Sequence, residues 1–152
     1  MTRALKAKEN FESGYACSQS VVMAFSDLVG IDESTLKKLS LPLGGGLGRL
    51  RLTCGAINGI AIIVGLIFSS AERDDENKTY VYSIIQELVK RFEHEKQTIN
   101  CKELLEKASL DVEIAGTPES RNNEYYKKRP CGSVVYTAAY ILEQFLMEKG
   151  II

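Results

Sequence analysis

The sequence predicts an all-α protein, a compact helical bundle around a buried central apolar helix. Three observations carry that expectation. Apolar residues recur at intervals of three and four in several stretches, and no stretch alternates apolar and polar residues as a half-buried strand would. A run of 20 residues, Leu52 to Ala71, carries no charge, and a helix apolar on every side has to be enclosed by something. The breaks between periodic stretches fall at residues that start or stop helices, among them Gly30, Asp32, Asn100, Pro130 and Gly150. At 152 residues, one four-cysteine helical domain over 1–152 is expected, long enough to bury a core.

In chain order, Phe11 to Leu28 carries the first stripe, with Cys17, Val21, Ala24, Phe25 and Leu28 facing inward. Ser13-Gly14 marks its start, which places Cys17 in or near the first turn, and Gly30 stops it. Asp32 then caps a short helix over Glu33 to Leu39, with Thr35 placed for a local bond. Pro42 and a glycine run (Gly44, Gly45, Gly46, Gly48) lead past Arg49 and Arg51 to Cys54, which falls in the first turn of the central helix ending near Phe68.

After a polar turn over Ser69 to Lys78, the helix from Thr79 to about Lys96 has Val81, Ile84, Ile85, Leu88, Val89 and Phe92 on one face. His94, the sole histidine, lies off that face and reads as a surface residue. Asn100 caps a short helix with Cys101, Leu104, Leu105 and Ala108 inward, and 109–116 is an irregular link. Thr117-Pro118-Glu119-Ser120 reads as another helix start, and the polar stretch through Tyr125 and Tyr126 as a short exposed helix or loop. Pro130 introduces the last helix, with Cys131, Val135, Ala138, Leu142 and Phe145 inward.

Composition narrows the function classes. A formal net charge of −1 argues against nucleic acid as the main partner, which needs a basic face. The uncharged run is long enough to span a bilayer, but it holds Thr53, Asn58, Ser69, Ser70 and three glycines, so a buried soluble helix is expected and no membrane span. Met1 to Glu9 lacks the apolar core of a signal peptide, so a cytoplasmic location is expected. There, four cysteines are reduced thiols, catalytic groups or metal ligands sooner than structural disulfides.

All four cysteines, Cys17, Cys54, Cys101 and Cys131, fall at or near predicted helix starts. Cations lie close in sequence to three of them: Arg49 and Arg51 before Cys54, Lys102 after Cys101, and Lys127 to Arg129 before Cys131. Helix dipoles and cations both favour the thiolate, the reactive and metal-binding form. Cysteine is also a small, commonly buried hydrophobe, so any one position alone reads as core; the repeated pairing with a helix start does not. No Cys-x-x-Cys is present, and the glycine run lacks the Lys-Ser/Thr ending of a phosphate loop. Gly55, Ala56 and Gly59 form a small-residue face suited to close packing.

On these residues the chain resembles the C_GCAxxG_C_C family of redox-active proteins. The resemblance is carried by Gly14-Tyr15-Ala16-Cys17-Ser18-Gln19-Ser20, by Gly44-Gly45-Gly46 with Arg49, by Cys54-Gly55-Ala56-Ile57-Asn58-Gly59, and by the later Cys101 and Cys131. Positions 54 to 56 read Cys-Gly-Ala where the family's name has Gly-Cys-Ala. The resemblance implies a small cytoplasmic redox protein working beside oxidoreductases or transporters. The chain is also similar to a part of split-Soret cytochromes, which brings an iron–sulfur site into consideration; without Cys-x-x-Cys-His, covalent haem is not expected.

Three functions follow as expectations. In the first, a thiol-dependent oxidoreductase, the four thiols act in one pocket for thiol/disulfide exchange or electron transfer. A low-pKa Cys54 attacks a disulfide, a neighbouring cysteine resolves it, Arg49 stabilises the thiolate, and Gln19, Gly55 and Gly59 support the site. In the second, the four thiolates of Cys17, Cys54, Cys101 and Cys131 hold an iron–sulfur cluster, and the protein carries electrons. In the third, the chain is a non-catalytic helical scaffold or partner-binding protein with core cysteines. The expected partner is a redox protein or a small thiol/disulfide substrate, and a homodimer through the small-residue helix faces is compatible with the pattern.

Overall fold

The computed structural model describes residues 1–114 and 116–152, and the helical expectation holds throughout them. In order the helices are α1 (Arg3–Glu12), α2 (Cys17–Ala24), α3 (Glu33–Ser40), α4 (Gly55–Phe68), α5 (Asp75–Lys96), α6 (Cys101–Lys107), α7 (Asn123–Lys128) and α8 (Cys131–Glu148). Among the described residues the one strand-like pairing is an isolated antiparallel bridge, Thr53 to Asn100. No helix among them is long and apolar enough to cross a membrane.

Several helix starts are set by side chains that accept an otherwise unpartnered backbone N–H. Asp32 accepts from Thr35 N–H, Asp74 from Asn77 N–H, Asn100 from Glu103 N–H and Asn122 from Tyr125 N–H. The caps explain where sequence expectations slipped. α5 starts at Asp75, inside the expected polar turn, because Asp74 is its cap. No helix starts at Thr117-Pro118; the cap at Asn122 puts α7 later and leaves Pro118 and Glu119 in irregular chain. The helix expected from Ser13-Gly14 to Leu28 is shorter than expected, and a separate helix precedes it. α1 ends at Glu12, Gly14 turns the chain at φ +103°, and α2 runs only to Ala24 before a 3-10 turn over Ser26–Leu28. Of the irregular link expected over 109–116, residue 115 lies outside the described residues.

α1 and α8 pack along each other, α2 lies along α4 and α1, and α5 closes against α8 and α4. One hydrophobic cluster joins them, from Ala4, Ala7 and Phe11 of α1 to Leu142, Phe145 and Leu146 of α8. The expectation of an apolar helix enclosed on every side is corrected at α4, where Ala61 and Leu66 reach solvent. The most enclosed helix is instead α2, in which every residue from Ser18 to Ala24 is buried. Its polar side chains are tolerated because each is satisfied. Ser18 Oγ donates to Ser40 O at 2.7 Å, Gln19 Nε2 to Lys37 O at 3.1 Å, and Ser20 Oγ to Ala16 O at 2.8 Å.

Close approach of α2 to α4 depends on Gly59. A Cβ there would stand 2.9 Å from Ser18 O and 2.9 Å from Val21 Cβ, closer than such atoms come. The small-residue face of α4 thus seats another helix of the same chain.

Candidate functional site

The loop 44–52 between α3 and α4 is where this structure departs most from ordinary packing. Gly45, Gly46 and Gly48 take positive φ, and so do Leu47, Arg49 and Arg51, at +72°, +67° and +62°. Such a conformation in residues with a Cβ costs about 1–3 kcal/mol each and persists only where the surroundings enforce it. Here Arg49 N–H bonds Gly44 O, Arg51 N–H bonds Gly45 O, and Leu52 N–H bonds Gly46 O, so the chain winds back on its own glycines. Gly46 cannot be replaced without movement. A Cβ on it would lie 2.6 Å from Leu52 N and 2.7 Å from Cys101 Cβ. The result is an inversion: Arg49 and Arg51 are buried, while Leu47, Leu50 and Leu52 face solvent.

Behind the loop lies a cavity of about 250 Å³ lined by all four cysteines. Each arrives from the start of a helix. Cys17, Cys101 and Cys131 are the first residues of α2, α6 and α8, and Cys54 immediately precedes α4. Backbone bonds place them: Cys54 N–H donates to Ile99 O at 2.7 Å and Cys101 N–H to Leu52 O at 2.6 Å, which ties α6 to the entrance of α4. Gly55 admits Cys17, because a Cβ at that glycine would overlap the Cys17 Sγ. Asn58 Nδ2 holds the same junction by donating to Leu43 O and Thr53 O, each at 3.2 Å. All four are free thiols.

The expectation of a low-pKa Cys54 is corrected. Burial pushes its thiol well above the usual range, negative charge on Cys17 adds to that, and the Ala56 N–H to its sulfur opposes without prevailing. Burial also raises Cys101, against which Arg51 works through a hydrogen bond, its Nη1 standing 3.8 Å from Cys101 Sγ. Burial first, and then charge on Cys17 and Cys101, pushes Cys131 up to about 12, with Arg129 and Arg121 pulling the other way. Charge on Cys17 therefore acts on each of the other three sulfurs, and Cys17 and Cys131 are half-buried where Cys54 and Cys101 are buried.

Of the cations expected beside cysteines, Arg129 does act on Cys131, but two others pair elsewhere. Arg51, expected beside Cys54, reaches Cys101 instead, and Lys102, expected beside Cys101, is exposed and pairs with Glu106. Arg49 lines the cavity and stands 3.8 Å from Glu119. Gln19 and Gly59 do not line it; Gln19 clamps α2 to α3 and also accepts from Ala16 N–H at 3.0 Å. Glu119, Arg121 and Tyr125 line the cavity and were not picked out from sequence, since each sits in a stretch that reads as polar surface.

The donors suit an iron–sulfur cluster, which four cysteines hold. Among the described residues no group of three or more His, Cys, Asp or Glu side chains is set to hold a single metal ion.

Residues 15–145 match a family model described as "Putative redox-active protein (C_GCAxxG_C_C)". Comparison with curated proteins and with solved structures gives no match.

Proposed function

The chain belongs to the C_GCAxxG_C_C family, and from that premise we propose that it is a thiol–disulfide exchange protein whose four cysteines work in one cavity. The observation that carries this reading is the convergence of Cys17, Cys54, Cys101 and Cys131, remote in sequence, on that cavity. A scaffold with cysteine as core filler has no need to gather them.

Cys17 is the attacking thiol in this reading: Cys54 and Cys101 are buried, the equally half-buried Cys131 holds its proton up to about 12, and charge on Cys17 reaches every other sulfur. It loses its proton to water and its thiolate attacks one sulfur of a substrate disulfide. The Cys17–substrate bond forms, the substrate S–S bond breaks, and the departing thiolate takes up a proton. Cys54, deprotonated in turn, attacks Cys17 Sγ and releases the second substrate thiol. Two electrons have then passed from the protein to the substrate, leaving a Cys17–Cys54 disulfide. Cys101 and Cys131 lie within electrostatic reach of both and act as a reserve pair through which that disulfide is passed on.

The test is stoichiometry. Fully reduced protein incubated with hydroxyethyl disulfide is expected to release two equivalents of mercaptoethanol as two protein thiols disappear, and Cys17→Ser to lose most of the rate. No release of small thiol by the folded protein would overturn the reading.

A second reading, an iron–sulfur electron carrier, is favoured by the count of cavity thiols, four and all cysteine. It requires all four sulfurs to face one cluster. Iron and sulfide assays with a visible spectrum of protein purified without oxygen decide it.

A further inference from the structure

The cavity is lined by charge as well as by thiols. Arg49, Arg51, Arg121 and Arg129 line it against one carboxylate, Glu119, although the whole chain has a formal net charge of −1. Guanidiniums stay charged at every working pH, so the wall is positive whether or not the thiols ionise.

Each of the four arginines has partners at the cavity wall. Arg51 Nε donates to Glu113 O at 2.9 Å. Arg121 donates to Phe11 O and Tyr15 O at 3.3 Å each, and lies over the rings of Phe11 and Tyr125. Arg129 also lies over the Tyr125 ring, and Arg49 and Arg129 share Glu119, Arg129 in a close ion pair and Arg49 at 3.8 Å. Their side chains are 10 % and 6 % exposed, whereas Glu119 is 44 % exposed and comes from irregular chain. A half-exposed carboxylate outside any helix thus sits between two enclosed guanidiniums, at the wall of a cavity full of thiols. That is the position an anionic group on a ligand would take. Exchanging one carboxylate for another keeps both arginines paired, so the desolvation already suffered by the arginines is not suffered again.

We propose that the Glu119 position between Arg49 and Arg129 is an anion subsite, and that the molecules reacting with the cavity thiols are small and carry a carboxylate or comparable oxyanion, which displaces Glu119. This rests on the thiol-exchange reading and names its substrate class. Glu119 is the tethered stand-in that occupies the subsite between turnovers, and the net positive wall raises the local concentration of anionic reactants.

Two alkylating reagents of nearly equal size separate the possibilities. Iodoacetate carries the carboxylate and iodoacetamide does not; in both, cysteine sulfur bonds to the methylene carbon, iodide leaves and the thiol proton goes to water. Rates on the reduced, folded, full-length protein are followed by mass spectrometry and expressed as an iodoacetate-to-iodoacetamide ratio. The reference is the same ratio for N-acetylcysteine amide, a neutral thiol. The protein's ratio is expected several-fold above the reference and falling with added salt. Glu119→Gln raises it further, and Arg129→Gln or Arg49→Gln brings it towards the reference. A wild-type ratio at or below the reference, with normal iodoacetamide labelling, overturns the subsite and leaves thiol exchange standing. Absence of labelling by either reagent overturns both. The wild-type ratio and its salt dependence need no variant, so a substitution that unfolds the protein does not decide the matter.

Discussion

Helix α8 and the loop 44–52 face the same interior and obey opposite rules. In α8 the apolar residues Val135, Ala138, Leu142 and Leu146 are buried to nothing and the charged ones stay out. In the loop the arginines go in, the leucines go out, and three residues with side chains sit in left-handed backbone. The first arrangement is what burial of apolar surface produces unaided. The second lowers stability twice, through strain and through enclosed charge, and persists because α6, α4 and the glycines leave it no alternative. A region that gives up stability in this way marks where the molecule's chemistry is placed, and here it forms one wall of the cavity containing every thiol.

The contrast can be broken at either region. The largest stability effect is expected from α8: Leu142→Ala should cost about 2–5 kcal/mol, read as a lower urea midpoint, while cysteine labelling of the folded fraction stays as it was. In the loop, Gly46→Ala introduces a Cβ against Leu52 N at a position of φ +74°. It should destabilise by more than about 1 kcal/mol and, unlike the α8 change, also alter labelling of Cys101, whose Cβ stands 2.7 Å away. A labelling profile unchanged by Gly46→Ala would mean that the loop does not position that thiol.

Arg51→Met removes the guanidinium from Cys101 Sγ and leaves its burial in place. A charged hydrogen bond of about 1.5 kcal/mol corresponds to roughly tenfold in thiolate fraction, so Cys101 alkylation near neutral pH should slow by about that factor. Equal slowing of all four cysteines would indicate a general change of structure instead.

The pH dependence tests the enclosure of a thiol. The folded protein holds the Cys131 proton up to about 12, where an unfolded cysteine releases it near ~8.5. The unfolded chain therefore binds fewer protons between those values, and stability should be fully present below ~8.5 and decline as pH rises towards 12. Urea midpoints at two alkaline pH values should show that decline, and Cys131→Ser should lessen it.

Much of this was legible in the sequence. The stripes on α5 and α8, the caps at Asp32 and Asn100, and the four cysteines at helix starts are local patterns, and local patterns survive folding. α1 was not read because its inward face is Ala4, Ala7 and Phe11, and alanine marks a face weakly beside Lys6, Lys8, Glu9 and Glu12. The enclosure of α2 was hidden because Ser18, Gln19 and Ser20 look like surface until their partners at Ser40, Lys37 and Ala16 are known. At the site, the cysteines and three of the arginines could be named, but not Glu119, Arg121 and Tyr125. Which arginine faces which sulfur is decided by the left-handed winding of the loop, and the meeting of Glu119 with Arg49 joins parts of the chain that share no periodic signal.

Everything rests on Cys17 and Cys54 being close enough to exchange a bond across the space that Gly55 leaves open. Disulfide mapping by mass spectrometry, after reduced protein receives one equivalent of diamide, measures this directly. A Cys17–Cys54 linkage within one chain, slowed in Gly55→Ala, is the expected result. Disulfides forming only between chains, or cysteines that stay free in the folded protein, would contradict it.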